Sequence, residues 1–149
     1  MDCDGVLTDG RLYFSETGEA LKVFDVRDGY GLTLWHKAGF RSGIISGRKS
    51  PIVEKRARDL GIEFVWQGRE DKAAALDELL AASNVSTDEI AFIADDTIDL
   101  PLFPKVGLTV AVADAHKEVP ARAHYTTKAN GGHGAVRELI DLLLDAKKK

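Results

Sequence analysis

Two aspartates two residues apart, Asp2 and Asp4, precede a glycine in the run Asp2-Cys3-Asp4-Gly5-Val6-Leu7-Thr8-Asp9-Gly10. On a β-strand that ends here the two acids share one face and Cys3 takes the other. Gly5 then lets the backbone leave sharply. Carboxylates held side by side need a proton or a cation between them. An acidic surface turn uses the same residue types, so the pair gains meaning from its companions: Ser46-Gly47, Lys72 and the acidic group Asp95-Asp96-Thr97-Ile98-Asp99. This combination suits phosphoryl transfer to a carboxylate. One Asp attacks phosphorus and becomes an aspartyl-phosphate, and a second protonates the leaving alkoxide and then takes a proton from water. Mg²⁺, bound through oxygen ligands, neutralises the charge. The Ser46 hydroxyl, the backbone amides beside it at Gly47 and the Lys72 ammonium hold the phosphoryl oxygens.

Such residues must be delivered to one place by the scaffold. Apolar stretches at 41–46, 63–66, 90–94, 108–112 and 123–126 predict short strands. They alternate with helical patterns at 28–38, 51–60, 70–82 and 135–146, with a further helix after Asp96 bent by Pro101 and Pro104. Ser50 and Pro51 read as N-cap and first helical residue, and Gly61 as the stop. Ser86-Thr87-Asp88-Glu89 has capping-box spacing with room for one turn. The lysine end, 147–149, suits a helix C-terminus. Strands apolar on both faces, alternating with helices, predict an α/β fold: a Rossmann-like parallel sheet with helices on each side. Ligands bind beyond the carboxyl ends of such strands, where Asp2 and Asp4, Ser46, and Asp95 and Asp96 all fall. Residues 11–14 and 19–24, joined at 15–18, read as a β-hairpin with apolar groups on both faces. A two-stranded ribbon cannot bury both alone, which points to a subunit contact.

The chain has 149 residues, 44% hydrophobic and 30% charged, with net charge −4 and one cysteine. These values predict one domain over 1–149 with a proper core and give no bulk attraction to nucleic acid. They exclude a disulfide framework. With no membrane-length apolar run and no signal peptide ahead of the start, no membrane association and a cytoplasmic location are expected. Cys3, turned away from the aspartates, reads as a small core residue.

The four ordered groups, Asp2-Cys3-Asp4-Gly5-Val6-Leu7-Thr8, Ser46-Gly47-Arg48, Lys72 and Asp95-Asp96-Thr97-Ile98-Asp99, resemble the motifs of the haloacid dehalogenase (HAD) superfamily of phosphatases. The resemblance is closer to its capless branch, the 3-deoxy-D-manno-octulosonate 8-phosphate (Kdo-8-phosphate) phosphatases. Val26-Arg27-Asp28-Gly29-Tyr30-Gly31, Val106-Gly107-Leu108-Thr109-Val110-Ala111-Val112-Ala113-Asp114-Ala115-His116 and Gly131-Gly132-His133-Gly134-Ala135-Val136-Arg137-Glu138 match that family's text as well. The resemblance implies a HAD-like fold with a hairpin flap and no cap domain. It implies Asp2 as nucleophile and Asp4 as acid/base, with Mg²⁺ on Asp2, the Asp4 carbonyl and Asp95. Ser46, Gly47 and Lys72 would hold phosphate. Asp96 and Asp99 would stand near the site, or serve as a helix cap and an ordinary first-turn acid.

The family also implies a homotetramer whose hairpins meet at the centre, each active site being closed by a neighbouring subunit. Arg48 and Arg56 are candidates for gripping a sugar acid, since an arginine fork suits a carboxylate; Arg56 could equally be a surface arginine lying along the Val53/Leu60 stripe. In a sister group acting on nine-carbon 2-keto-3-deoxy acid 9-phosphates the Arg48 position is typically acidic, so arginine favours Kdo-8-phosphate and a step in lipopolysaccharide synthesis. Other readings are phosphatase action on another sugar-acid phosphate, a catalytically silent tetramerising module, and a phosphoacceptor signalling domain. Three departures stand out. His133 replaces a common Arg and receives no role, Ala94 replaces the usual Gly, and only Met1 precedes Asp2 where the family has a central strand. Either that strand is mostly missing, through truncation or a misassigned start, or it is a shortened one; a missing central strand would leave ladder groups unpaired and core uncovered, so reduced stability or activity is expected of the chain as written.

Overall fold

The computed structural model describes residues 1–148; Lys149, the last of the predicted lysine end, lies outside the described residues. In chain order the elements are β1 (Tyr13–Ser15), β2 (Gly18–Leu21), α1 (Val26–Lys37), β3 (Gly43–Ile45), α2 (Pro51–Leu60), β4 (Phe64–Trp66), α3 (Lys72–Ser83), β5 (Ala91–Ala94), β6 (Leu108–Ala111), β7 (Tyr125–Thr126) and α4 (Ala135–Lys147). Short 3-10 segments cover Thr87–Glu89, Thr97–Lys105 and Pro120–Arg122. The strands are parallel in two groups, β3 with β4, and β5 with β6 and β7. The architecture is the predicted α/β one: parallel sheets flanked by helices, an antiparallel β1–β2 ribbon, and no cap domain among the described residues.

Strand alternation distributes the core to two faces. Ile44, Ile93 and Val110 join Leu32, Val53, Ala57, Val136 and Leu139 on the side of α1, α2 and α4. Ile45, Phe92, Ala94 and Ala111 join Ala75, Leu76, Leu102 and Phe103 on the side of α3 and the Thr97–Lys105 segment. No described helix is long and apolar enough to cross a membrane.

Four local expectations change. The ribbon is shorter than 11–14 and 19–24, because β2 ends at Leu21 and Lys22 turns inward. Helix α1 starts before residue 28, since Asp25 caps it by accepting from the Arg27 N–H at 2.7 Å. Helix α3 begins at Lys72, with Asp71 as its cap. The segment after Asp96 winds as a 3-10 helix, where Pro101 and Pro104 remove amide donors.

The largest correction concerns the first strand. Residues 1–4 do not form one. Instead Met1 makes a single parallel rung: its amine donates to the Gly43 carbonyl at 3.0 Å and its carbonyl accepts from the Ile45 N–H at 3.0 Å. The Asp2 N–H donates to the Ile93 carbonyl at 3.1 Å. Among the described residues, these hydrogen bonds alone join the edges of β3 and β5. Behind them lies an apolar groove of about 540 Å³, lined by Gly43 and Ile45 on one side, Ala91 and Ile93 on the other, and Met1 at its end.

Candidate active site

The rung fixes the site. Asp2 follows Met1, Ser46 follows β3, and Asp95 follows β5, so three segments end side by side at the carboxyl edge of the sheets. After Asp2 the chain winds into a tight turn, in which the Val6, Leu7 and Thr8 N–H groups all point at the Cys3 carbonyl. Strand alternation therefore stops at Asp2, and the two aspartates part. Asp2 is buried and meets Lys72, whereas the Asp4 side chain faces the ribbon and meets Lys22. Each acid thus has its own lysine, which answers the repulsion expected from their spacing.

Lys72 occupies the first residue of α3, where a cation opposes the helix dipole. It is 3% exposed, and its Nζ lies 2.9 Å from Asp2 Oδ1 and 2.7 Å from Asp99 Oδ1. Burial lowers the pKa of this ammonium, but the charges of Asp2 and Asp99 outweigh it and the net shift is upward. Lys72 is therefore a buried, doubly paired cation.

Asp2, Asp95 and Asp99 each present an oxygen, all within 4.8 Å of one another. Asp95 Oδ1 and Asp99 Oδ2 are buried without a hydrogen-bond partner among the described residues. Burial, then the charges of Asp2 and Asp99, push the Asp95 carboxyl well up; burial and Asp2 do the same to Asp99 against the pull of Lys72. Three crowded carboxylates with two orphaned oxygens fit a hard divalent cation such as Mg²⁺. Gly5 keeps the approach open: its φ is +85°, and a Cβ there would fall 2.0 Å from Asp95 Oδ2. The Asp4–Gly5 peptide, whose carbonyl is an expected ligand, thus packs directly on the cluster. Asp99 joins the carboxylates, while the exposed Asp96 turns to cap Thr97, accepting from its N–H at 2.6 Å.

A pH dependence follows. Acids whose folded pKa is raised bind more protons in the native state, so metal-free stability falls as pH rises from about 4 through the raised values. A bound cation removes that penalty and releases the protons. The rise in melting temperature on adding Mg²⁺ is therefore expected to be several-fold larger at pH 8 than at pH 5.5, as measured by calorimetry; an increment independent of pH would contradict this cluster as the cation site.

Ser46 is 3% exposed and lies beside Asp2 across the rung, its N–H held by the Trp66 carbonyl at 2.8 Å. At Gly47 a Cβ would meet nothing closer than the Arg69 carbonyl at 3.8 Å, so the backbone there is open to a ligand. Arg48, 41% exposed in its side chain, lies at the mouth with Nε 3.5 Å from Asp4 Oδ2. Arg56 is not brought to these groups. It lies beneath Gly29, over the Phe24 ring at 5.5 Å, with Nε buried and without a hydrogen-bond partner among the described residues. Cys3 is in the core as expected, and burial followed by the charges of Asp4 and Asp2 pushes its thiol up to about 12.

Sequence reasoning missed Lys22, Glu19 and Asp28. Lys22 and Glu19 fall within the predicted second strand of the hairpin, 19–24, and were given no role there. Asp28 is 1% exposed and accepts from the Gly134 and Arg137 N–H groups at 3.3 and 2.8 Å, capping a helix whose own cap residue, Gly134, has no side chain. It thereby ties α1 to the loop in which the Gly132 N–H donates to the Val6 carbonyl of the Asp4–Thr8 turn at 2.8 Å. The signal was present in the sequence as a charged residue inside an apolar helix face, but its partner lies 106 residues away.

The chain is similar to known proteins over nearly its whole length. Residues 61–139 match the family model of haloacid dehalogenase-like hydrolases. The chain is 47% identical over 149 residues to the 3-deoxy-D-manno-octulosonate 8-phosphate phosphatase KdsC of Escherichia coli K12, covering all of this chain and 79% of that protein. The crystal structure of the Yersinia pestis 3-deoxy-D-manno-octulosonate 8-phosphate phosphatase superposes with a TM-score of 0.96 at 47% identity, over 99% of this chain and 80% of that one. The Moraxella catarrhalis phosphatase of the same name, in complex with a magnesium ion, a phosphate ion and Kdo, superposes with a TM-score of 0.94 at 38% identity, over 98% and 84%.

Proposed function

The chain belongs to the haloacid dehalogenase-like hydrolases, in the family of Kdo-8-phosphate phosphatases, and from that premise we propose that it is a Mg²⁺-dependent phosphatase releasing Kdo and inorganic phosphate from Kdo-8-phosphate. The observation that carries the reading is the buried Asp2–Lys72–Asp99 arrangement beside Asp95 and Ser46. It sets one carboxylate against a fixed cation and a divalent-ion donor set.

In this mechanism an Asp2 carboxylate oxygen attacks phosphorus. The bond to the sugar oxygen breaks, and that oxygen takes a proton from Asp4. Water then attacks the aspartyl-phosphate, giving its proton to Asp4 and releasing phosphate. Lys72 spends two of its three donors on Asp2 and Asp99 and has the third for a phosphoryl oxygen, alongside the Ser46 hydroxyl and the Gly47 amide. Asp2, Asp95 and the Asp4 carbonyl, with Asp99 beside them, would hold Mg²⁺, which would supply charge neutralisation at the phosphoryl group.

Arg48 and Arg56 are assigned to the sugar-acid carboxylate, Arg48 from the mouth and Arg56 from a subunit edge. The ribbon supports the homotetramer in which a neighbouring subunit completes each site: Leu12, Phe14, Leu21 and Val23 are 46–60% exposed on it. The single catalytic domain, the cytoplasmic location and the role in lipopolysaccharide synthesis belong to the same proposal.

The test is phosphate release from Kdo-8-phosphate and from a nine-carbon 2-keto-3-deoxy acid 9-phosphate, with Mg²⁺ and with chelator. Preference for the nine-carbon ester, or turnover that survives chelation, would overturn it. Arg48→Ala is expected to raise KM by roughly 10-fold or more with little change in kcat, as for a group that binds ground state and transition state alike. A dead variant with unchanged KM would remove Arg48 from substrate binding.

A further inference from the structure

Lys22 inverts the usual sorting of side chains. It leaves the end of β2 between Leu21, 46% exposed, and Val23, 55% exposed, yet its own side chain is 2% exposed. Two apolar residues face outward so that a lysine can point in. A buried ammonium must be paired, and this one is. Its Nζ lies 2.5 Å from Asp4 Oδ1 and 3.0 Å from Glu19 Oε1. Burial lowers its pKa, but Asp4 and Glu19 outweigh that and keep it charged.

The anchor is itself anchored. Glu19 Oε2 accepts from the Ser50 hydroxyl, whose oxygen caps α2 at the Val53 N–H, and the Ser50 N–H donates to Gln67 Oε1 at 2.9 Å. Lys22 is therefore fixed from the ribbon, from α2 and from the strand end at Gln67. The other oxygen of Asp4 has a different neighbour. Arg48 reaches Oδ2 at 3.5 Å and is 41% exposed, so an incoming ligand can displace it.

We propose that Lys22 is a positioning residue for proton transfer: it pins Asp4 Oδ1 so that Oδ2 faces the leaving oxygen of the substrate. The proposal rests on Asp4 as the group that protonates that oxygen. A misplacement of about 1 Å in such a group costs on the order of 10²-fold, and general acid catalysis as a whole contributes about 10² to 10⁴. A lysine that merely stapled the ribbon would have no preference among leaving groups.

The experiment compares kcat/KM, which reports on steps up to alcohol release, for two esters with the Mg²⁺-loaded enzyme. One is a primary alkyl phosphate that the parent turns over, Kdo-8-phosphate on the reading above. The other is p-nitrophenyl phosphate, whose phenolate leaves without a proton. Lys22→Met is expected to lower the alkyl ester by about 10²-fold and p-nitrophenyl phosphate by only a few-fold, with KM little changed and with Lys22→Arg recovering most of the loss. Equal losses on both esters, or none, overturn the proposal. Should Lys22→Met fail to fold, Glu19→Gln loosens Lys22 while leaving it beside Asp4. It must then show the same ester-selective loss in smaller measure, and a uniform loss overturns the proposal. Asp4→Asn separates the two levels. If it is ester-selective and the Lys22 variants are not, only the positioning role fails. If it is not selective, Asp4 is not the leaving-group acid and both fail.

Discussion

Asp2→Asn is expected to abolish turnover, lowering kcat by roughly 10⁴-fold or more, the scale of removing a nucleophile from a site that works as a unit. The substitution is nearly isosteric, and its amide oxygen still accepts from Lys72 Nζ, which lies 2.9 Å from Asp2 Oδ1 in the parent. What it removes is the negative oxygen that attacks phosphorus. It also removes one of three carboxylates crowded within 4.8 Å. The metal-free variant should therefore melt no lower than the parent, while Mg²⁺ should raise its melting temperature less. Loss of turnover with retained or improved thermal stability identifies a chemical role, since a defect in folding would lower both. Turnover within about tenfold of the parent would remove Asp2 as nucleophile, and with it the reading of the whole site.

The second large effect concerns stability. Four apolar, β-branched residues fused ahead of Met1 are expected to raise the melting temperature by on the order of 10 °C. The groove behind Met1 is about 540 Å³, apolar, and flanked by the facing edges of β3 and β5. Met1 already makes a parallel rung with Gly43 and Ile45, so an extension enters in register with both edges. Each side chain moved from water into such a groove contributes roughly 1.5–3 kcal/mol. Each new ladder hydrogen bond adds about 1 kcal/mol, against about 1–2 kcal/mol of backbone entropy per residue ordered.

The extension also converts a buried ammonium, pushed down to about 6 by its burial, into a neutral amide that can keep the bond to the Gly43 carbonyl. An amine whose folded pKa lies below its unfolded value of 8.0 costs stability increasingly as pH falls through that window. The gain from the extension should therefore be larger at pH 6 than at pH 8. A Gly-Ser extension of equal length is the control. If it stabilises as much as the apolar one, the groove is not a strand site.

Much of this protein was determined by the sequence alone. The alternation of apolar runs and helical periods required parallel strands covered on both faces. The caps at Ser50 and Gly61 fall where the residue types demand them. Ser46 and Asp95 could be placed together before any contact was known, because each follows an apolar run and the carboxyl ends of parallel strands share one edge; Asp2, preceded by Met1 alone, was joined to them by the chemistry of its companions. Lys72 falls in the first turn of the helix predicted over 70–82, where a cation opposes the dipole.

What the sequence could not decide was which charge meets which. Asp2 and Asp4 looked like partners on one strand face, but the Cys3–Thr8 turn separates them and gives each its own lysine. Lys22 received no role because local pattern says nothing of a side chain whose partner lies 18 residues away. Asp99 and Asp96 were equal candidates until the 3-10 winding put one inside the cluster and the other at its cap. Hydrophobic periodicity is a local signal and survives in the sequence. Pairing of buried charges depends on distances set only when the chain closes on itself, and for that the tertiary structure was needed.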